Sequence, residues 1–257
     1  MKKFENKNII ITGSSYGIGK GIALGFAKEG GNVVINYPFE KDKTVAMETV
    51  EELKHYGTKV IAVQANVAEG GDVKSLIETS ISEFGKIDVL VNNAGTNGKI
   101  APITEFTEAD YDHIMNINIK GVFLCVINIL PHFIKNGKGR IINMGSIDSF
   151  VGDENFSVYV ASKGAIAAFT RTLSLELGPK NITVNAICPG FVDTPSADII
   201  EKQYPGTKEY MAKRIPMGRL LKPSDIANLA LFLAADESEM INGSCILIDG
   251  GLINNVS

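Results

Sequence analysis

A tyrosine and a lysine four residues apart offer proton-transfer chemistry. Tyr159 and Lys163 lie in a segment whose pattern predicts a helix, so the two side chains share one helix face. A neighbouring ammonium group favours the phenolate and lowers the pKa of a tyrosine from its usual value of about 10. Ser146 lies thirteen residues before Tyr159, and its hydroxyl can hold a substrate oxygen beside the phenol. These residues predict general acid–base chemistry at a hydroxyl or carbonyl oxygen.

A glycine-rich turn follows the first apolar run of the chain. Gly13, Gly17 and Gly19 allow a sharp bend and a close approach of the backbone to a ligand. The helix that begins behind them directs free N–H groups and the positive end of its dipole at this turn, which favours a pyrophosphate. The turn lacks the ending of a P-loop, because Lys20 is followed by Gly21 rather than by serine or threonine.

The same turn also matches the G-x-S-x-G nucleophile elbow of hydrolases, with Ser15 as the nucleophile. A hydrolase would also need a histidine partner and an oxyanion loop from an earlier strand. No candidate strand precedes this turn, and His55, His113 and His132 all fall in helical patterns. A dinucleotide is therefore the favoured ligand, and a Ser15 hydrolase stays as an alternative of another class.

Small polar residues follow two other predicted strands. The segment 92–95 reads Asn-Asn-Ala-Gly after the strand at 87–91, and Asn66 follows the strand at 59–63. In open α/β sheets, ligands lie at the carboxyl edge of the strands. The three strand ends therefore predict one shared crevice.

Seven short β-branched runs alternate with helical patterns along the chain. This alternation predicts an α/β fold, a doubly wound parallel sheet with helices on both faces. No linker, repeat or Pro/Ser tract divides the 257 residues, so we expect a single domain. Strands are predicted at 8–12, 32–36, 59–63, 87–91, 140–144, 183–187 and 245–248, and helices at 18–26, 42–56, 72–84, 108–134, 157–177 and 224–235.

The segment 189–217 interrupts this pattern. It holds Pro189, Pro195, Pro205 and Pro216 and has only a patchy helical pattern. A long irregular insert in a regular sheet protein is more often a functional loop than packing filler. We therefore expect this segment to form a substrate loop.

The composition narrows the class of protein. The chain is 45% hydrophobic and 21% charged with a formal net charge of −4, which is ordinary for a soluble globular protein and argues against nucleic-acid binding. Cys125, Cys188 and Cys245 form no metal-binding pattern, so we expect reduced thiols, no metal and a cytoplasmic location. The first apolar run is too short for a signal sequence or a membrane span, so no membrane association is expected.

Together these motifs resemble a short-chain dehydrogenase/reductase of the common single-domain type, over essentially the whole chain. The resemblance implies a Rossmann-like sheet of about seven strands and hydride transfer between a nicotinamide cofactor and an alcohol or carbonyl substrate. The matching segments are 12–19, 92–95, 115–121, 159–163, 188–190 and 249–251, with Ser146 and Thr194.

The resemblance also implies a role for each site residue. Tyr159 would exchange a proton with the substrate oxygen, and Ser146 would hydrogen-bond that oxygen. Lys163 would lower the pKa of the tyrosine and bind the nicotinamide ribose, and Asn118 would position a water in the proton relay. The cofactor-binding residues that it implies are Gly13, Ser15, Tyr16, Gly17, Ile18, Gly19, Tyr37, Asn66, Val67, Asn93, Ala94, Gly95, Pro189, Gly190, Val192 and Thr194, together with Tyr159 and Lys163.

The segment after the second strand bears on the choice between NAD and NADP. An acidic residue there binds the ribose diol and repels a 2′-phosphate, whereas an arginine does the reverse. The segment 36–39 has neither. Tyr16 stands where NADP-using members often carry a basic residue, and Lys41 and Lys43 are near enough in sequence to reach a phosphate. These residues slightly favour NADP as the cofactor, and NAD remains the alternative.

The loop before the tyrosine bears on the substrate. Asp148, Asp153 and Glu154 can hydrogen-bond a sugar or polyol, and Asp153 and Glu154 fit surface charges on a loop at least as well. The chain also resembles the 3-oxoacyl-carrier-protein reductases and the bacterial glucose dehydrogenases of the family. We therefore expect a sugar or polyol substrate, with reduction of 3-oxoacyl chains as the alternative.

Partners and assembly give further expectations. An acyl-carrier substrate would favour a basic rim such as Lys208, Lys213 and Arg214. The resemblance implies a homotetramer, in which the apolar helix through Phe123 is buried twice and the tail 252–257 crosses to a neighbour. A non-catalytic dinucleotide-binding regulator is the remaining alternative, and it would be expected to lack the serine, tyrosine or lysine, all of which are present.

Overall fold

The computed structural model describes residues 2–255, which contain one seven-stranded sheet. All six strand pairs are parallel, and the strand order is β3-β2-β1-β4-β5-β6-β7. The predicted α/β class and the doubly wound parallel sheet are therefore confirmed. The strands are β1 (Asn8–Ile11), β2 (Asn32–Tyr37), β3 (Val60–Gln64), β4 (Val89–Asn92), β5 (Gly139–Met144), β6 (Ile182–Pro189) and β7 (Cys245–Ile248).

Helices cover both faces of the sheet, and the chain reverses its winding direction between β1 and β4. Such a switch point opens a crevice outside the carboxyl ends of the two strands. The helices are α1 (Gly17–Lys28), α2 (Lys43–Lys54), α3 (Gly70–Phe84), α4 (Glu108–Met115), α5 (Gly121–Asn136), α6 (Ser157–Leu177), α7 (Pro195–Gln203), α8 (Thr207–Arg214) and α9 (Pro223–Ala234).

Two apolar clusters hold the helices to the sheet. Ile9 and Ile11 of β1 join the cluster under α1, α2 and α9, whereas Ile10 joins the cluster under α3, α5 and α6. Successive side chains of a strand point to opposite faces. The continuous apolar runs of the sequence are therefore explained by burial of the strands on both faces.

The predicted helix 108–134 is divided into three parts. A π-helical turn, Asn116–Lys120, separates α4 from α5, and such turns are frequent at functional sites. By length and composition alone, the run Glu108–Asn136 would also pass as a membrane span. Cys125 and Phe133 of this run are buried in the core cluster, and the expected absence of membrane association stays a prediction.

The segment 189–217 is more regular than the sequence predicts. It contains α7 and α8, and the residues before, between and after these two helices are irregular. Pro195 stands in the first turn of α7, where its missing N–H is not needed for the helix, so this proline starts a helix instead of breaking one. The predicted tail contact lies partly outside the described residues, which end at Asn255.

Candidate active site

The glycine-rich turn joins β1 to α1 at the carboxyl edge of the sheet. Gly13 and Gly17 have φ values of +59° and +61°, a left-handed conformation that favours glycine. A Cβ atom on Gly13 would lie 2.9 Å from Cα of Ala94. The N-cap residue of α1, Tyr16, makes no side-chain capping bond. The first N–H groups of α1 therefore stay available for an anionic ligand.

Two asparagines hold this turn in place. Oδ1 of Asn36 accepts a bond from the N–H of Gly13 at 3.0 Å, and its amide group donates to the carbonyl of Ala65 at 3.0 Å. Nδ2 of Asn93 donates to the carbonyls of Thr12 and Gly13, both at 2.9 Å. The role of Asn36 was missed from the sequence, although its place at the end of β2 beside the glycine turn is a usable signal.

A cleft of about 310 Å³ runs along this edge. Phe39 and Asn66 line one end of the cleft, and Tyr159 and Lys163 line the other. An elongated cleft with a glycine turn at its middle fits a dinucleotide. The predicted cofactor residues that line it are Gly13, Ser15, Tyr16, Gly17, Ile18, Asn66, Val67, Asn93, Ala94, Gly95, Tyr159, Lys163, Pro189, Gly190 and Thr194.

Three predicted cofactor residues do not line the cleft, and their contacts with a cofactor stay predictions. Tyr37 is 6% exposed and belongs to the core cluster under α2. Gly19 lies behind the turn, where a Cβ atom would come within 2.5 Å of the carbonyl oxygen of Gly13, so glycine is required there for packing. Val192 lines a neighbouring pocket instead of the cleft.

Asn118 is buried in the π-helical turn with its amide fully bonded. Oδ1 accepts from the N–H of Thr96 at 2.8 Å, and Nδ2 donates to the Thr96 carbonyl at 2.9 Å and to Oγ of Ser162 at 3.0 Å. Asn118 does not line the cleft, but it fixes the loop at Gly95, which borders the Lys163 amine. Its implied role in a water relay stays a prediction.

Ser146 follows β5 and caps a 3-10 turn, Ile147–Ser149. Its Oγ donates to Oδ2 of Asp148 at 2.8 Å and accepts from the N–H of Asp148 at 3.2 Å. Oγ of Ser149 donates to the carbonyl of Lys163 at 2.9 Å. This bond fixes the turn against α6, so Ser146 stands beside the residues that α6 presents.

Helix α6 presents Tyr159 and Lys163 on one face, as their spacing predicts. Nζ of Lys163 donates to the carbonyl of Met144 at 2.9 Å and lies 5.5 Å from the centroid of the Tyr159 ring. Burial lowers the pKa of the Lys163 amine to about 8. The amine is therefore desolvated, and it is still mostly charged at neutral pH.

The pKa of Tyr159 is shifted in the direction opposite to the sequence prediction. Burial raises the pKa of the phenol, and the negative charge of Asp148 raises it further. Desolvation disfavours the charged phenolate, and a nearby negative charge disfavours it as well. Tyr159 is therefore protonated at neutral pH, the form that a proton donor requires.

A second pocket of about 190 Å³ opens beside Ser146 and Tyr159. Helices α7 and α8 contribute apolar wall residues, among them Ile200 and Met211. Asp148 and Asp153 line the same pocket. The sequence singled out the two carboxylates, whereas the apolar wall was missed because its residues are brought together only by the helices of the insert.

The hydrolase alternative lacks a base. Ser15 is buried at 1% exposure, and no histidine in residues 2–255 lines the cleft. Nδ1 of His55 contacts the carbonyl of Glu51, and His132 accepts from the N–H of Ile87. In the same stretch of chain, no group of three or more His, Cys, Asp or Glu side chains is placed to hold a metal ion.

A glycine turn at the switch point of a parallel sheet, with serine, tyrosine and lysine at the end of one cleft, defines a nicotinamide-dependent oxidoreductase. Residues 13–253 match the family model described as enoyl-(acyl carrier protein) reductase. The chain belongs to the short-chain dehydrogenase/reductase family. It is an enzyme that acts on CH–OH or keto groups, which confirms the predicted reaction class.

Named relatives share nearly the full length of the chain. It is 40% identical to the 3-oxoacyl-(acyl-carrier-protein) reductase FabG of Staphylococcus epidermidis over 247 residues, which cover 96% of this chain and 99% of that protein. It is 36% identical to the (2S)-((R)-hydroxy(phenyl)methyl)succinyl-CoA dehydrogenase subunit BbsD of Thauera aromatica over 247 residues, 96% of each chain.

A solved structure shares the fold. The 3-ketoacyl-(acyl-carrier-protein) reductase of Brucella melitensis, complexed with NADH, aligns with a TM-score of 0.89 at 35% identity. The alignment covers 96% of this chain and 98% of that one. The structural similarity therefore extends over the whole sheet and its helices.

Proposed function

We propose that the enzyme interconverts a ketone and a secondary alcohol on a small polar substrate such as a sugar or polyol, with Tyr159 as the acid–base group. One observation carries this proposal. Ser146 and Tyr159 line both the dinucleotide cleft and a neighbouring pocket that contains the carboxylates of Asp148 and Asp153. Carboxylates in a binding pocket match the hydroxyl donors of a polyol.

The chemistry divides between cofactor and protein. A bound nicotinamide cofactor supplies or accepts the hydride. In the reductive direction, the Tyr159 hydroxyl gives its proton to the carbonyl oxygen, and in the oxidative direction the phenolate takes it back. Ser146 positions that oxygen beside the phenol, and Lys163 binds the nicotinamide ribose from its place on the same helix face.

Reduction of 3-oxoacyl chains is the second candidate. Two observations favour it: a relative at 40% identity is a 3-oxoacyl-(acyl-carrier-protein) reductase, and the pocket has an apolar wall. The basic rim expected for an acyl-carrier partner is largely neutralised. Nζ of Lys208 is bound by Asp193 at 2.7 Å and by Asp198 at 2.5 Å, and Lys213 pairs with a glutamate. These ion pairs favour the polar substrate over a carrier protein.

NADP is the proposed cofactor form, with NAD as the alternative. Nζ of Lys41 lies 5.4 Å from the ring centroid of Phe39, which lines the cleft beside the end of β2. Lys43 is paired with Glu40 at 2.9 Å. Lys41 is therefore the better placed cation for a 2′-phosphate.

A homotetramer in the cytoplasm is the proposed form of the enzyme. Phe123 and Ile127 of α5 are 47% and 43% exposed on the face turned away from the core, and apolar side chains on one helix face favour contact with a partner copy. The three cysteines are free thiols, which fits a reducing compartment.

A substrate screen tests the proposed function. Sugars, polyols, small hydroxy ketones and acetoacetyl thioesters are each incubated with NADH and NADPH, or with the oxidised cofactors, and turnover is read from nicotinamide absorbance. We expect turnover of a hydroxy ketone or polyol. Turnover restricted to the thioester would favour the second candidate, and no turnover with any carbonyl or alcohol would contradict the function.

A further inference from the structure

The hydroxyl group of Ser146 has a single proton, which is already hydrogen-bonded to a carboxylate. Ser146 Oγ donates to Oδ2 of Asp148 at 2.8 Å and accepts from the N–H of the same residue at 3.2 Å. A serine hydroxyl has a single proton, so this bond uses the donor that a ketone oxygen needs. A bond to a charged acceptor is about twice as strong as a neutral one. A ketone oxygen alone therefore competes poorly for the Ser146 proton.

The loss of this donor matters for the reaction. Negative charge develops on the substrate oxygen during hydride transfer, and donors directed at that oxygen stabilise it. Tyr159 provides one donor and Ser146 the other. Removing one donor of this kind from an enzyme site costs about 10²–10³ in kcat. A substrate that leaves Ser146 bound to Asp148 is therefore reduced slowly.

The surroundings of Asp148 allow a substrate group to change this arrangement. Asp148 is half-buried and lines the pocket next to Ser146 and Tyr159. Asp153 and Lys163 are the other charged groups that act on it, and Tyr159 is in turn affected by its charge. A substituent next to the reacting carbon therefore meets the Asp148 carboxylate.

On the basis of the proposed function, we propose that Asp148 selects ketones that carry a hydroxyl group on the carbon next to the carbonyl. This hydroxyl competes with Ser146 for Oδ2 of the carboxylate, and where it takes the place of Ser146 the Ser146 proton turns to the carbonyl oxygen. Asp148 is thus a specificity-determining residue, and no covalent bond or proton is exchanged with it. A 3-oxoacyl thioester has no hydroxyl at this position and leaves Ser146 engaged.

A matched substrate pair tests this inference. Hydroxyacetone and methyl ethyl ketone have nearly the same shape and differ in one hydroxyl group, and an acetoacetyl thioester serves as the third substrate. We expect wild-type kcat/KM to be about ten- to a hundredfold higher for hydroxyacetone, the range typical of a hydrogen bond to a charged group. The assay uses the full chain with NADPH and with NADH.

Variants assign the effect to Asp148. Asp148→Ala should bring the ratio of the two ketones close to one, with a higher kcat for methyl ethyl ketone because Ser146 regains its proton. Asp148→Asn keeps the shape and should give an intermediate ratio. Glu154→Gln removes an exposed carboxylate that lines neither pocket, and it should keep the wild-type ratio. Thermal melting of each variant checks that it is folded.

The outcomes separate the inference from the proposed function. Equal kcat/KM for the two ketones in the wild type, an unchanged ratio in a folded Asp148 variant, or turnover of the thioester alone would each overturn the role of Asp148. The first two results would leave the proposed function standing, whereas turnover of the thioester alone would also contradict the polar substrate and favour the second candidate. No turnover of any carbonyl substrate would instead overturn the proposed function, and the inference with it.

Discussion

Replacing Lys163 with methionine should make the protein more stable and inactive. The Lys163 amine is buried, and its pKa falls from an ordinary 10.5 to about 8. Each pKa unit corresponds to about 1.36 kcal/mol, so charging this amine in the folded protein costs about 3 kcal/mol. Methionine has a similar length and no charge. The variant also loses the hydrogen bond to the Met144 carbonyl, which costs about 1 kcal/mol. The free energy of unfolding of the variant should therefore exceed that of the wild type by about 2 kcal/mol.

The sign of this effect depends on pH. The folded pKa is below the unfolded one, so below pH 8 the amine is charged in both states and the folded state carries the full penalty. Between pH 8 and 10.5 the unfolded state binds more protons, and the stability of the wild type rises towards that of the variant. The advantage of Lys163→Met should therefore be largest near neutral pH, and above pH 10.5 the variant should be about 1 kcal/mol less stable than the wild type, because only the lost hydrogen bond remains.

Thermal melting at neutral and alkaline pH measures this prediction. A gain of about 2 kcal/mol raises the Tm of a domain of this size by about 4–8 °C. Turnover should fall sharply in the same variant, because the charged amine no longer stands beside Tyr159 and the cofactor cleft. A variant that melts below the wild type at neutral pH, or whose difference in Tm does not change with pH, would refute the reasoning.

Three further predictions concern the cofactor cleft and the assembly. Gly19→Ala places a Cβ atom 2.5 Å from a backbone carbonyl of the turn, and it should lower the free energy of unfolding by about 1–3 kcal/mol and weaken cofactor binding. Gly164→Ala is the control: its Cβ meets no atom within 4 Å, and it should leave the Tm unchanged or raise it. Lys41→Ala should raise the KM for NADPH about tenfold or more and leave the KM for NADH unchanged, and Lys43→Ala is the control; equal effects of the two lysine variants would count against the 2′-phosphate contact. Light scattering should give four times the chain mass and a lower mass for Ile127→Lys, and a monomeric wild type would exclude the tetramer.

The regular parts of the fold were predictable because their side chains obey simple periodic rules. Ile9, Ile10 and Ile11 form a continuous apolar run because β1 is buried on both faces. The spacing of Tyr159 and Lys163 places them on one face of α6 wherever the rest of the chain lies. Local spacing therefore predicts the strands, most helices and the tyrosine–lysine pair.

The parts that could not be predicted depend on contacts between distant segments. Tyr37 ends β2, as a cofactor residue would, but its side chain is buried under α2. The insert 189–217 reads as irregular because prolines usually interrupt helices, whereas Pro195 starts one. The upward shift of the Tyr159 pKa arises from burial and from the Asp148 charge, and neither is visible in the spacing of the tyrosine and lysine.

The turnover of Tyr159→Phe tests the central claim most directly. Wild type, Tyr159→Phe and Ser15→Ala are compared in one nicotinamide absorbance assay with the best substrate of the screen. If Tyr159 exchanges the proton with the substrate oxygen, Tyr159→Phe should lower kcat by about 10²–10⁴ while the cofactor still binds, and Ser15→Ala should retain turnover. Full activity of Tyr159→Phe, together with loss of activity in Ser15→Ala, would contradict the claim.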